Sequence, residues 1–165
     1  MGIHSREVGL NFGLTSAVIT TLGLIVGLEA TTNSQTAVLG GILIIAIADA
    51  FSDAFGIHMS EESEGVHTTE EVWEATASTF ISKFLFALTF AIPFLFAPGT
   101  ISLQNAVLIA SAWGLLLLCF FSYRMAKMTH QKTLHVIAEH LVIAVIVIVL
   151  THFIGAWIRE LSGNE

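Results

Sequence analysis

Five apolar segments, each more than 20 residues long, divide the chain at 8–29, 37–59, 76–96, 101–125 and 134–158. At about 1.5 Å of rise per residue, a helix of that length crosses a hydrocarbon core of about 30 Å. The expected fold is therefore an all-α integral membrane protein with five transmembrane helices. Only 12% of the 165 residues are charged and 55% are hydrophobic. That is half the charge of an ordinary soluble domain, too little to clothe a globule of this size. Mean hydropathy is +0.82. Collagen, disorder, a disulfide scaffold and an ordinary cytosolic enzyme are excluded together. Residues 1–165 form a single domain, because no Pro-, Gly- or Ser-rich linker interrupts them. No signal peptide is expected, since the first apolar run is too long and lacks the usual flanks.

The segments between the spans are short, at 30–36, 60–75, 97–100 and 126–133. With the N-terminus in the cytosol, Arg6, Lys83, Arg124, Lys127 and Lys132 fall on or near the inner side, and only Arg159 lies outside. This satisfies the positive-inside rule and puts the C-terminus outside. On this assignment no basic residue occupies a span core. Net charge is −7, which disfavours nucleic acid and anionic surfaces and leaves cations as the natural ligand. Cys119 stands alone inside an apolar run and forms no intrachain disulfide.

Asp49 and Asp53 lie four residues apart in the second span, in Ile47-Ala48-Asp49-Ala50-Phe51-Ser52-Asp53-Ala54-Phe55-Gly56. Residues at i and i+4 share a helix face. A carboxylate at this depth costs at least about 2.5 kcal/mol on insertion scales and normally marks a pathway or a pairing site. The pair reads as an ion or proton site, with a neutral hydrogen-bonded pair as the plain alternative. The inner segment 60–75 holds six more acids, Glu61, Glu62, Glu64, Glu70, Glu71 and Glu74, beside His67. With Thr68 or Thr69 as an N-cap, Glu70 and Glu74 share a face with Glu71 next to it. Carboxylates with an imidazole suit Fe²⁺ or Mn²⁺, and the lack of a Cys pair argues against structural zinc. The alternative is a solvated acidic helix start favoured by the helix dipole.

The fifth span carries His135, Glu139 and His140 near its inner end, a candidate proton relay or second metal ligand pair. One such box is too little for a di-iron oxygenase. A membrane metalloenzyme combining 61–74 with these residues, and a metal-responsive membrane protein without transport, are the competing readings. The first span has Gly13, Gly23 and Gly27 among Thr15, Ser16, Thr20 and Thr21. The spacing of Gly23 and Gly27 permits close helix approach, and small residues on this span favour a subunit seam.

With these residues in view, the chain resembles the vacuolar iron transporter family. The likeness lies in the run Phe12-Gly13-Leu14-Thr15-Ser16-Ala17-Val18-Ile19-Thr20-Thr21-Leu22-Gly23-Leu24-Ile25-Val26-Gly27 and in Ala48-Asp49-Ala50-Phe51-Ser52-Asp53-Ala54-Phe55-Gly56-Ile57-His58-Met59-Ser60. Five spans, an acidic inner segment and Pro93 in the third span agree with it. The resemblance implies a homodimer that moves Fe²⁺ or Mn²⁺ out of the cytosol in exchange for protons, with the metal as substrate, no fixed cofactor and no enzymatic activity. By position, the family's intramembrane Asp and Met fall on Ser16 and Asp53. The family's Gly-Glu-Tyr falls on Gly56-Ile57-His58. Oxygen ligands in place of a thioether would shift preference toward Mn²⁺ or Mg²⁺. The expected path lies between the first and second spans of both subunits, in a bacterial or archaeal plasma membrane.

Overall fold

The computed structural model describes residues 2–163. The elements are α1 (Gly2–Thr32), α2 (Gln35–Glu64), α3 (Thr69–Thr89), α4 (Ile92–Thr100), α5 (Leu103–Met128) and α6 (Thr133–Ser162), and no strand occurs among the described residues. Five stretches are long and apolar enough to cross a membrane: Ser5–Thr32, Gln35–Glu64, Thr69–Phe96, Leu103–Met128 and Thr133–Ser162. Helix is the form lipid demands of an open chain, because each backbone group then finds its partner within its own segment.

The junctions follow from local chemistry. Asn33 takes a left-handed φ of 46° between α1 and α2, a conformation Asn tolerates better than most residues. The Ser34 hydroxyl then caps α2 by accepting from the Ala37 N–H. Segment 60–75, expected as an inner segment with a helix beginning partway, is nearly all helical. Only Gly65 to Thr68 are not. Gly65 at φ 65° ends α2 and donates to the Glu62 carbonyl, and Thr68 with Glu71 forms a capping box that starts α3.

The third span is broken at Phe90 and Ala91. Pro93 cannot donate to the Thr89 carbonyl, and its ring would press on that oxygen in a continuous helix. Phe90 and Ala91 therefore close tighter bonds, to Ala87 and Leu88. The expected hairpin at 97–100 falls inside α4, so the fourth span begins at Leu103. Two side chains brace the break: Gln35 donates to the Phe94 carbonyl at 2.6 Å, and the Trp113 indole donates to the Thr89 hydroxyl at 3.0 Å.

Helix α1 is the central post, touching α2, α3, α5 and α6. From Gly13 to Thr31 it has no exposed residue. A subunit seam built on the first two spans would therefore find an exposed face on α2, at Ala48, Ser52 and Gly56, and none along this part of α1. Against α3, the approach is closest at Gly9 and Gly13. A Cβ on Gly9 would overlap Ser78 and the Ala75 carbonyl, and one on Gly13 would overlap Ser82 and the Thr79 carbonyl. Against α6, Gly155 lies on the Gly27 carbonyl in the same way. Leu22 fills the notch at Gly114 of α5. The core that results is Val18, Leu22 and Ile25 of α1 with Ile42, Phe90, Phe94 and Leu118.

Candidate functional site

Asp49 lies fourteen residues from the start of α2 and fifteen from its end, and Lys83 is as central in the third span. Ser16 is near the middle of α1. At about 1.5 Å per residue these three positions are roughly 20 Å from either end of their spans. The packing of α1 on both neighbours brings them together. Lys83 Nζ lies 2.6 Å from Asp49 Oδ2, pairs with Asp53 Oδ2 and donates to Ser16 Oγ at 2.7 Å.

This corrects the assignment of Lys83 to the inner side. The residue is 1% exposed, the largest fully buried side chain among the described residues, and it supplies the span-core cation that counting basic residues toward the inner side did not predict. A lysine one or two turns from a helix end would snorkel to the interface. Lys83 is enclosed within the bundle instead, and its ammonium is met by carboxylates.

Asp49 and Asp53 share a face as their spacing requires, and both point at one ammonium. The cluster keeps one negative charge more than it neutralises when all three groups are ionised. Asp49 Oδ2 is enclosed and has the ion pair but no hydrogen bond. The Asp49 side chain is 23% exposed and that of Asp53 is 18% exposed. Asp49 and Ser52 line a shallow groove on α2 with Gly41, Ala48 and Leu24 of α1. The cluster is thus closed toward α3 and partly open on the outer side of α2.

The acids of 60–75 are divided among separate partners. Glu61 is buried, with His67 Nε2 at 3.5 Å, and the same nitrogen is 3.3 Å from Glu64. Glu62 stands 4.0 Å from His58. Glu71 accepts from the N–H and hydroxyl of Thr68. Glu74 meets Arg6 at 3.0 Å, and its second oxygen is buried without a hydrogen bond. Glu70 lines a groove beside Arg6 and Trp73. His140 pairs with the Ser122 hydroxyl at 2.7 Å, whereas His135 and Glu139 are exposed. Among the described residues no three or more His, Cys, Asp and Glu side chains are grouped to hold a metal ion. The acids of 61–74 do not come together as one pocket, nor do they meet His135, Glu139 and His140.

No family model, curated protein or solved structure matches the chain.

Proposed function

We propose that the chain is a transporter of divalent cations of the Fe²⁺ and Mn²⁺ class, moving the ion out of the cytosol in exchange for protons and working as a homodimer. The observation that carries this reading is the Asp49, Asp53 and Lys83 cluster at mid-span. Ionisable groups in a membrane interior are expensive and mark ion or proton routes. Here Lys83 is a tethered cation in the place of a mobile one. An arriving divalent ion displaces the ammonium from the two carboxylates, and protons returning to those carboxylates release it. Every donor nearby is a hard oxygen, from Asp49, Asp53, Ser52 and Ser16, which suits Mn²⁺, Fe²⁺ or Mg²⁺.

In this reading the end bearing Glu61, Glu62 and Glu64 faces the cytosol and gathers cations by its charge. A second copy laid along Ala48, Ser52 and Gly56 covers the outer side of Asp49, and its small residues allow close approach. The likeness of the first two spans to the vacuolar iron transporters supports the same assignment. The test is Mn²⁺ flux into proteoliposomes with a pH gradient imposed and then removed. Flux should follow the gradient and vanish in Asp53→Ala while the protein stays monodisperse. Undiminished flux in that variant overturns the reading.

One observation favours a second reading, a static clamp. Lys83 is fully buried and has three partners on two other helices. A clamp of that kind holds α1, α2 and α3 together without moving anything. It predicts no flux with or without a gradient.

A further inference from the structure

Between α2 and α3, toward their junction, lies an apolar groove of about 460 Å³. Phe51, Phe55, Phe80 and Ile81 line it, and His58 and Trp73 close one end. Phe51, Phe55 and Trp73 are each more than half exposed, so the groove opens sideways, toward the hydrocarbon in a membrane. Beyond His58 and Trp73 lies a second cavity of about 140 Å³, bounded also by Glu62, His67 and Thr69. The two share a wall. The cleft therefore has two chambers divided by His58 and Trp73, an apolar one along α2 and α3 and a polar one beside the Gly65 turn, and a ligand filling both would lie across that divide.

That turn is where the chain emerges from the apolar region, and Trp73 occupies the position favoured by interfacial tryptophans. The polar end is braced by side chains of both helices. His58 Nδ1 is 3.0 Å from the Thr76 hydroxyl, and the His58 and Trp73 rings lie 4.7 Å apart. Its charge has one sign: Glu62 faces it, Glu61 and Glu64 flank His67, and no Lys or Arg lines it. An anionic headgroup would be repelled there and an ammonium attracted. Quaternary ammonium recognition uses a cage of several aromatic faces, whereas this end offers one indole and several hydrogen-bond acceptors. The acceptors suit an ammonium that still carries N–H bonds.

We propose that this cleft binds one phospholipid with a primary-ammonium headgroup, of the phosphatidylethanolamine type, an acyl chain lying along Phe51, Phe55 and Phe80 and the ammonium at Glu62. The proposal is independent of what the Asp49 and Lys83 cluster does.

Trp73 is the reporter. In Trp113→Phe/Trp157→Phe protein, bilayers would contain a small fixed fraction of lipid brominated on its acyl chains, the headgroup being ethanolamine, choline or glycerol. Brominated phosphatidylethanolamine should quench Trp73 about threefold more effectively than the other two, over the glycerol lipid by the size expected of one solvent-accessible charge pair and over the choline lipid by that of an N–H hydrogen bond a quaternary ammonium lacks. Glu62→Gln should make the three lipids equal. Ala77→Phe, which fills the groove from an exposed position, should remove the preferential quenching while the protein still elutes as a single species. Equal quenching by all three lipids in the parent, or a preference that survives Glu62→Gln, overturns the proposal.

Discussion

The Lys83 ammonium lies 2.6 Å from Oδ2 of Asp49, tying the middle of the third span to the middle of α2 inside the bundle. Asp53 holds the same nitrogen one turn along α2, and Ser16 holds it from α1. Two charges taken out of water repay their desolvation only while both partners remain. The cluster is therefore sensitive to the loss of one member and tolerant of the loss of all.

Replacing Lys83 by Met leaves two carboxylates in the spans without a cation. The expected cost is about 3 to 5 kcal/mol, the range for breaking a buried pair. The combined variant Asp49→Asn/Asp53→Asn/Lys83→Met should recover most of it. Thermal unfolding in detergent reads both, and a triple variant no more stable than Lys83→Met would contradict the pairing.

Ser16 contributes only a hydroxyl to the Lys83 ammonium. Ser16→Ala should cost about 1 to 3 kcal/mol, as for a lost hydrogen bond to a charged group. Ser16→Asp adds a third carboxylate at the same position. It should tighten Mn²⁺ binding, measured by isothermal titration on purified protein, and unchanged affinity would separate Ser16 from the ion site.

Glycines with similar sequence context should respond oppositely. Gly13→Ala drives a methyl into Ser82 and the Thr79 carbonyl and should destabilise by about 1 to 3 kcal/mol through overpacking. Gly56 has open space around its Cβ position within the protomer, so in the detergent-dispersed monomer Gly56→Ala should be neutral or stabilise by up to about 1 kcal/mol, from better helix propensity and a less flexible unfolded chain. Their melting temperatures should move apart.

At the break before Pro93, the Phe94 carbonyl is served by the Gln35 side chain. Gln35→Ala leaves that oxygen without its partner, at about 1 to 3 kcal/mol. Hydrogen exchange should quicken in 88–96 and stay unchanged in 70–85. Uniform quickening along both stretches would show that the bond does not act locally.

The five spans and the shared face of Asp49 and Asp53 were legible because length, hydropathy and a four-residue spacing are local properties. The Thr68 cap was legible for the same reason, since its partner Glu71 is three residues away. Lys83 was misplaced because counting basic residues assigns a side of the membrane without asking how deep the residue sits. Its depth was available: Lys83 lies seven residues inside the apolar run that begins at Thr76. Gly9 and Gly13 have the same spacing as Gly23 and Gly27, yet which pair meets α3 and which meets α6 depends on helix rotation, a tertiary property. The fate of the acids in 60–75 was likewise beyond composition. They are divided among Arg6, Thr68, His58 and His67, where clustering in sequence suggests a common pocket.

The contact of Gly27 with Gly155 joins helices separated by more than a hundred residues of chain. Synthesised into a bilayer, α1 would be complete long before α6 exists, and the face at Gly23 and Gly27 would meet lipid or the insertion machinery until translation was nearly finished. Closure of the bundle would then be a late event, and a chain stalled after Met128 would present to quality control a glycine face that α6 narrows to a shallow groove in the finished protein.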